Sequence, residues 1–144
     1  MCGIALTFYK HGRPKKDKAI APMLDQMRHR GKDQNSLQYY PNCIIGFRRL
    51  AITDIHAVQP GISNGWEVFL NGEVYNYKKL GFQGSECEVL AQGFAKHGVD
   101  FVKRLDGMFV IVAVYGADVY VFRDRYGQKP FYYFQSGETI VLAS

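Results

Sequence analysis

The sequence predicts an α+β fold with mainly antiparallel sheets. Three observations carry that reading: β-rich runs dominate, only two main segments have helical periodicity, and the closing runs are joined by turns too short for crossover helices. Two sheets with helices outside would satisfy both patterns. The 144 residues fit one domain, and a hydrophobic fraction of 47% can build a substantial core, so residues 1–144 are expected to form a single domain.

Ile4 to Tyr9 reads as the first strand, with Cys2 carried to its end. From Asp17 onward Ile20, Met23, Leu24 and Met27 recur at helical spacing, which predicts a helix with its apolar face on a sheet. Ser36 to Tyr40 and Cys43 to Arg49 read as strands joined by the Pro41-Asn42 turn, and Trp66 to Leu70 as a strand before Asn71-Gly72. Ser85 opens the second helix: Ser85 and Glu88 form a capping box, Val89, Leu90 and Phe94 are its apolar members, and Gly98 can end it. Met108 to Tyr115, Val119 to Arg123, Phe131 to Phe134 and Thr139 to Leu142 then predict a closing meander of strands.

Composition narrows the function classes. A formal net charge of +5 could suit nucleic acid, but the basic residues are scattered apart from Arg13-Pro14-Lys15-Lys16 and Arg28-His29-Arg30, so they read as solvated surface and no nucleic-acid partner is expected. Three cysteines without a Cys-x-x-Cys pair support neither a disulfide framework nor a zinc site, and the four histidines lack ligand spacing. No metal and no cofactor are expected. The longest apolar run, Met108 to Tyr115, is far shorter than a membrane span, and a reducing cytoplasm fits the cysteine usage.

Chemistry is concentrated at a few places. Removal of Met1 would leave an α-amine and a thiol on Cys2, a base and a nucleophile on one residue. Asn71-Gly72 supplies an amide and a backbone N–H that could converge on an oxyanion, while the same dipeptide is also a strong hairpin-turn signal. Of the adjacent Arg48 and Arg49, strand alternation turns one inward. The fork of Arg49 suits a substrate carboxylate, or equally an ion pair with Asp54 or Glu73. Glu86 and Glu88 could hold an ammonium group or complement the dipole of the helix they begin.

These residues occur in an order that resembles the class II glutamine amidotransferase domain, most closely the glutaminase domain of asparagine synthetase. The resemblance runs through Met1-Cys2-Gly3-Ile4, Arg28-His29-Arg30-Gly31, Arg49-Leu50-Ala51-Ile52, Gln59-Pro60, Asn71-Gly72-Glu73-Val74-Tyr75-Asn76, Leu105-Asp106-Gly107-Met108-Phe109 and Arg123-Asp124-Arg125-Tyr126-Gly127-Gln128-Lys129-Pro130. It implies an N-terminal nucleophile hydrolase fold, a four-layer αββα sandwich, and hydrolysis of L-glutamine to glutamate and ammonia. Carried over by position, Cys2 attacks the carboxamide, and Asn71 and Gly72 stabilise the oxyanions. Arg49 holds the α-carboxylate, and Leu50, Ala51, Ile52, Thr53, Gly72 and Glu73 line the rest of the substrate. His29, Arg30, Asp124 and Arg125 are assigned scaffold and interface roles.

The chain departs from the family pattern at Glu86, where the family has an aspartate that receives the substrate α-ammonium. Lys32 stands where proline is common, Phe47 where a polar residue is common, and the segment from Tyr77 to Ser85 is short. No phosphate-binding glycine-rich loop or synthetase domain is present in these residues. A separate ATP-dependent synthetase or transferase accepting ammonia is therefore the expected partner. The alternatives are a catalytically silent glutamine-binding or docking module and an N-terminal nucleophile amidase for another amide.

Overall fold

Strand and helix assignments come from a computed structural model that describes residues 2–12, 19–52 and 55–144. In chain order the elements are β1 (Gly3–Tyr9), α1 (Ile20–Gln26), β2 (Gln34–Tyr39), β3 (Cys43–Arg49), β4 (Gly61–Ser63), β5 (Trp66–Val74), α2 (Glu86–His97), β6 (Gly107–Tyr115), β7 (Asp118–Arg123), β8 (Tyr132–Ser136) and β9 (Thr139–Ala143). Short 3-10 turns cover Arg28–Arg30, Tyr77–Lys79 and Gly98–Arg104. Every strand pair is antiparallel. The described residues form two compact units, one holding the chain through Ile52 together with Pro130–Ser144, the other the residues from there to Lys129.

In the first unit the strand order is β2-β3-β1-β9-β8. Alternation assigns Ala5 and Ile44 to the face covered by α1, where they pack with Ile20, Leu24 and Met27. The opposite face buries Ile4, Leu6, Ile45 and Phe47. The helical stripe expected from Ile20, Met23, Leu24 and Met27 is thus core, with Ile20, Met23 and Leu24 in the helix and Met27 just past its end. Asp17, the expected start, lies outside the described residues.

In the second unit the order is β4-β5-β6-β7, and α2 packs on one face. Trp66, Val68, Leu70 and Val74 of β5 meet Leu90 and Phe94 of α2, and Phe94 stacks on Trp66 and Phe122 with ring centroids 5.4 and 5.5 Å apart. Aromatic burial of this kind stabilises by more than area alone. The capping box is formed as expected: the Glu88 carboxylate accepts from both the Ser85 N–H and the Ser85 hydroxyl.

Two strand expectations are corrected. β5 continues through Asn71-Gly72 to Val74, paired with β6 along its whole length, so this dipeptide is strand and not a hairpin turn. The closing meander divides, with β6 and β7 completing one sheet and β8 and β9 the other. The turn between them has its own polar core. Asp124 accepts backbone N–H bonds from Phe109, Tyr126, Gln128 and Lys129, and Arg123 donates to the carbonyls of Gly127 and Lys129. Among the described residues no helix is long and apolar enough to cross a membrane.

Candidate active site

The expected site residues fall into two sets, one in each unit. In the first, β1 and β3 pair with Gly3 opposite Arg48, so Cys2 and Arg49 occupy the next rung outward. Gly3 and Arg48 share the α1 face: a side chain at Gly3 would press on Met27, and Arg48 donates through Nε to the Leu24 carbonyl while Nη2 lies 3.5 Å from Asp25. Alternation therefore directs Cys2 and Arg49 to the other face. Arg49 is buried there, which resolves which of the two arginines turns inward.

Cys2 is half-buried, whereas Cys43 and Cys87 are buried. Burial pushes the Cys43 thiol up to about 12, which leaves it inert at neutral pH. The Cys2 Sγ points at the Leu50 carbonyl at 3.8 Å, and the Cys2 carbonyl accepts from Arg30 Nε at 3.1 Å. Arg30 thus holds the Cys2 backbone directly. The loop after β3 is fixed too, because the Ala51 N–H donates to the Asp33 carboxylate at 2.7 Å. Ile52 is exposed, and Thr53 lies outside the described residues.

In the second unit Asn71, Gly72 and Glu73 follow one another on β5. Asn71 lies on the face opposite α2, beside Phe69 and across from Val110, both fully buried and apolar. Its side chain is itself fully buried, and neither its amide oxygen nor its amide nitrogen has a hydrogen-bond partner. Leaving such a group unsatisfied costs about 1–3 kcal/mol, so its retention calls for an explanation beyond folding. Gly72 has φ 142°, and a Cβ there would overlap the Met108 carbonyl and the Phe109 backbone. Only glycine fits on both counts.

Glu86 begins α2, and its carboxylate accepts the Val74 N–H. Burial is the main cause that raises its pKa to about 7; the Val74 hydrogen bond opposes the rise and the Glu73 charge adds to it. A carboxyl poised this way gains most from a cationic partner. Gln59 is a residue that sequence reasoning left without a role. Its side chain accepts from the Leu70 N–H at 2.7 Å and donates to the Leu70 carbonyl at 3.2 Å, clamping the strand one residue before Asn71. Its signal was the Gln59-Pro60 pair within the family pattern.

Comparison with known proteins identifies the family. The family model described as a glutamine amidotransferase domain matches residues 1–144. The chain is 35% identical over 147 aligned residues to asparagine synthetase [glutamine-hydrolyzing] 3 of Arabidopsis thaliana, covering 92% of this chain and 25% of that one. It is 34% identical to asparagine synthetase [glutamine-hydrolyzing] 2 of Bacillus subtilis, covering 85% of this chain and 18% of the relative. The chain thus spans a quarter or less of the length of these two relatives. Among solved structures, the glutamine phosphoribosylpyrophosphate amidotransferase of B. subtilis superposes with a TM-score of 0.78 at 21% identity, over 99% of this chain and 41% of that one. That likeness carries the α+β N-terminal nucleophile hydrolase fold, and the family match carries the rest: similar to asparagine synthetases over most of its own length, the chain belongs to the glutamine amidotransferase domain family.

Proposed function

We propose that this domain hydrolyses L-glutamine to glutamate and ammonia and passes the ammonia to a synthetase or transferase outside these 144 residues, in the reducing cytoplasm. With Met1 removed, the α-amine of Cys2 takes the thiol proton, and Sγ attacks the carboxamide carbon. The oxyanion formed accepts from the Asn71 amide and the Gly72 N–H. Collapse of the adduct breaks the carbon–nitrogen bond, ammonia leaves with the proton returned by the amine, and a thioester remains. Water, activated by the same amine, attacks the thioester through a second oxyanion and releases glutamate and the thiol.

Arg49 receives the α-carboxylate, Glu86 the α-ammonium, and the Leu50 to Thr53 and Gly72-Glu73 segments the remainder of the substrate. The observation that carries this reading is the Asn71 side chain, buried without a partner. An amide kept unsatisfied at a cost to folding suits a group whose partner is the substrate. The partner protein is inferred from chemistry: free ammonia has value only beside an acceptor, and the synthetase relatives are several times longer than this chain.

The test is release of ammonia and glutamate from glutamine by protein whose intact mass confirms loss of Met1, with Cys2→Ala beside it. Cysteine-dependent release is expected. Saturable glutamine binding without release, alone and with candidate synthetase subunits, would replace this reading with a silent binding module.

A further inference from the structure

A second cluster of charged side chains lies in the first unit, where Arg48 occupies the α1 face, opposite that of Cys2 and Arg49. Arg28, His29, Gly31, Lys32 and Arg48 line a surface pocket of about 350 Å³. Part of this basic character has a local explanation, since α1 and the following 3-10 turn end here and cations satisfy terminal carbonyls. That need uses one nitrogen from each of two residues. Arg48 donates Nε to Leu24, and His29 Nδ1 lies 2.9 Å from the Gln26 carbonyl. With Nδ1 so engaged, the other ring nitrogen lies on the far edge of the imidazole.

The remaining charge exceeds what the fold requires. Among the described residues Asp25 is the acid that pairs with the cluster, 3.5 Å from Arg48 and 3.8 Å from Arg28, while Asp33 beside Lys32 is engaged by the Ala51 N–H. Lys32 is exposed and has no ion pair among the described residues. The Arg48 side chain is only 13% exposed, so its guanidinium is already held in place, which lowers the ordering cost of binding. Gly31 contributes backbone alone, because a Cβ there would overlap the Arg48 and Arg49 backbone. The pocket thus has cationic walls around a patch free of side chains.

We infer that this pocket binds a phosphate group, either the free ion or one borne by a small molecule. Several cations around one small pocket suit a multiply charged, compact anion better than a monocarboxylate, and arginine forks match phosphate oxygens in pairs. A polyanion would be served instead by a stripe of charge with exposed aromatic residues between, and the pocket lining contains no aromatic ring other than His29.

The experiment is an amide and arginine Nε NMR titration of the full chain with inorganic phosphate and, separately, with glycerol 3-phosphate, at constant ionic strength set by chloride. Saturable shifts at Gly31, Lys32 and Arg48 are expected, with affinity weakened about tenfold or more in Lys32→Glu, while signals from β1 and α2 report an unchanged fold. Tighter binding of the ester identifies an organic phosphate as the ligand, and tighter binding of the free ion identifies phosphate itself; either supports the site. Linear, non-saturating shifts, or affinities unaltered in both Lys32→Glu and Arg28→Ala, would overturn it. So would an affinity for single-stranded oligonucleotide that exceeds both phosphates and grows with length.

Discussion

The turn after β7 and the C-terminal half of β5 each bury a polar side chain in the second unit, and they satisfy it in opposite ways. Asp124 accepts four backbone N–H bonds. Asn71 has no partner for either amide atom. Glu86 lies between them, half-buried with a backbone donor from Val74. The titration of the two carboxyls follows the donor count. Burial pushes Asp124 upward but its four N–H bonds outweigh that, so it lies below the usual carboxylate range, whereas Glu86 is driven up to about 7. Asp124 spends its acceptors on the fold, whereas Asn71 keeps both amide atoms open.

The sharpest way to break this comparison is Asn71→Ala. If the side chain serves the oxyanion, turnover falls ~10²–10³-fold while the melting temperature is unchanged or higher, since a buried unsatisfied amide has been removed. A loss of stability with turnover retained would assign Asn71 to the scaffold. Asp124→Ala should do the reverse. Four donors lose their acceptor, and a cost of about 2–4 kcal/mol is expected in denaturant unfolding, with activity per folded molecule preserved. The wild-type contribution of Asp124 is present above its unfolded pKa and is lost as pH falls through the lowered folded value.

Glu86 gives a finer test with the opposite sign. Its folded pKa of about 7 exceeds the reference value of 4.5, so its contribution to stability is full below pH 4.5 and is lost as pH rises through about 7. Glu86→Gln keeps an acceptor for Val74 and removes the charge. The variant should melt higher than wild type at pH 8 and alike at pH 4.5 by calorimetry, and its KM for glutamine should rise about tenfold with the loss of an ammonium partner. Binding of an ammonium favours the carboxylate, so wild-type KM should fall as pH rises through about 7 relative to the variant. The smallest effect is reserved for the cap: Ser85→Ala should cost about 1 kcal/mol by denaturant unfolding and leave KM unmoved, because the hydroxyl serves Glu88 and not a ligand.

Local signals in the sequence carried much of this. β3 spans Cys43–Arg49 as alternation and composition predict, and the Ser85–Glu88 box starts α2, because both depend on neighbours within a few residues. β4 escaped notice: three residues are too few for periodicity, and Gly61–Ser63 becomes strand only by pairing with Ser63 through Gly61 set against Trp66 to Val68. Asn71-Gly72 carries a strong turn signal that was overridden by β6 lying alongside the whole of β5. The link between Glu86 and Val74, the Gln59 clamp on Leu70 and the hold of Arg30 on Cys2 join residues 11 to 28 positions apart. Contacts at that range leave no periodic trace, so residue type and family order pointed to these positions without revealing what they touch.

The sheet order of the first unit also dictates when it can form. β1, which leads to Cys2, is flanked by β3 on one side and by β9 on the other, with Ala5 opposite Ala143. The second unit is one uninterrupted stretch of sequence, and the first is split around it. During synthesis the intervening stretch can complete its pairing while β1 still lacks a neighbour that has not yet been made. Such pairing closes the longest loop in the chain and is entropically the most demanding step. A ribosome-bound chain that stops short of Thr139 would hold Asn71 and Gly72 in a paired strand while β1 has only one of its two neighbours.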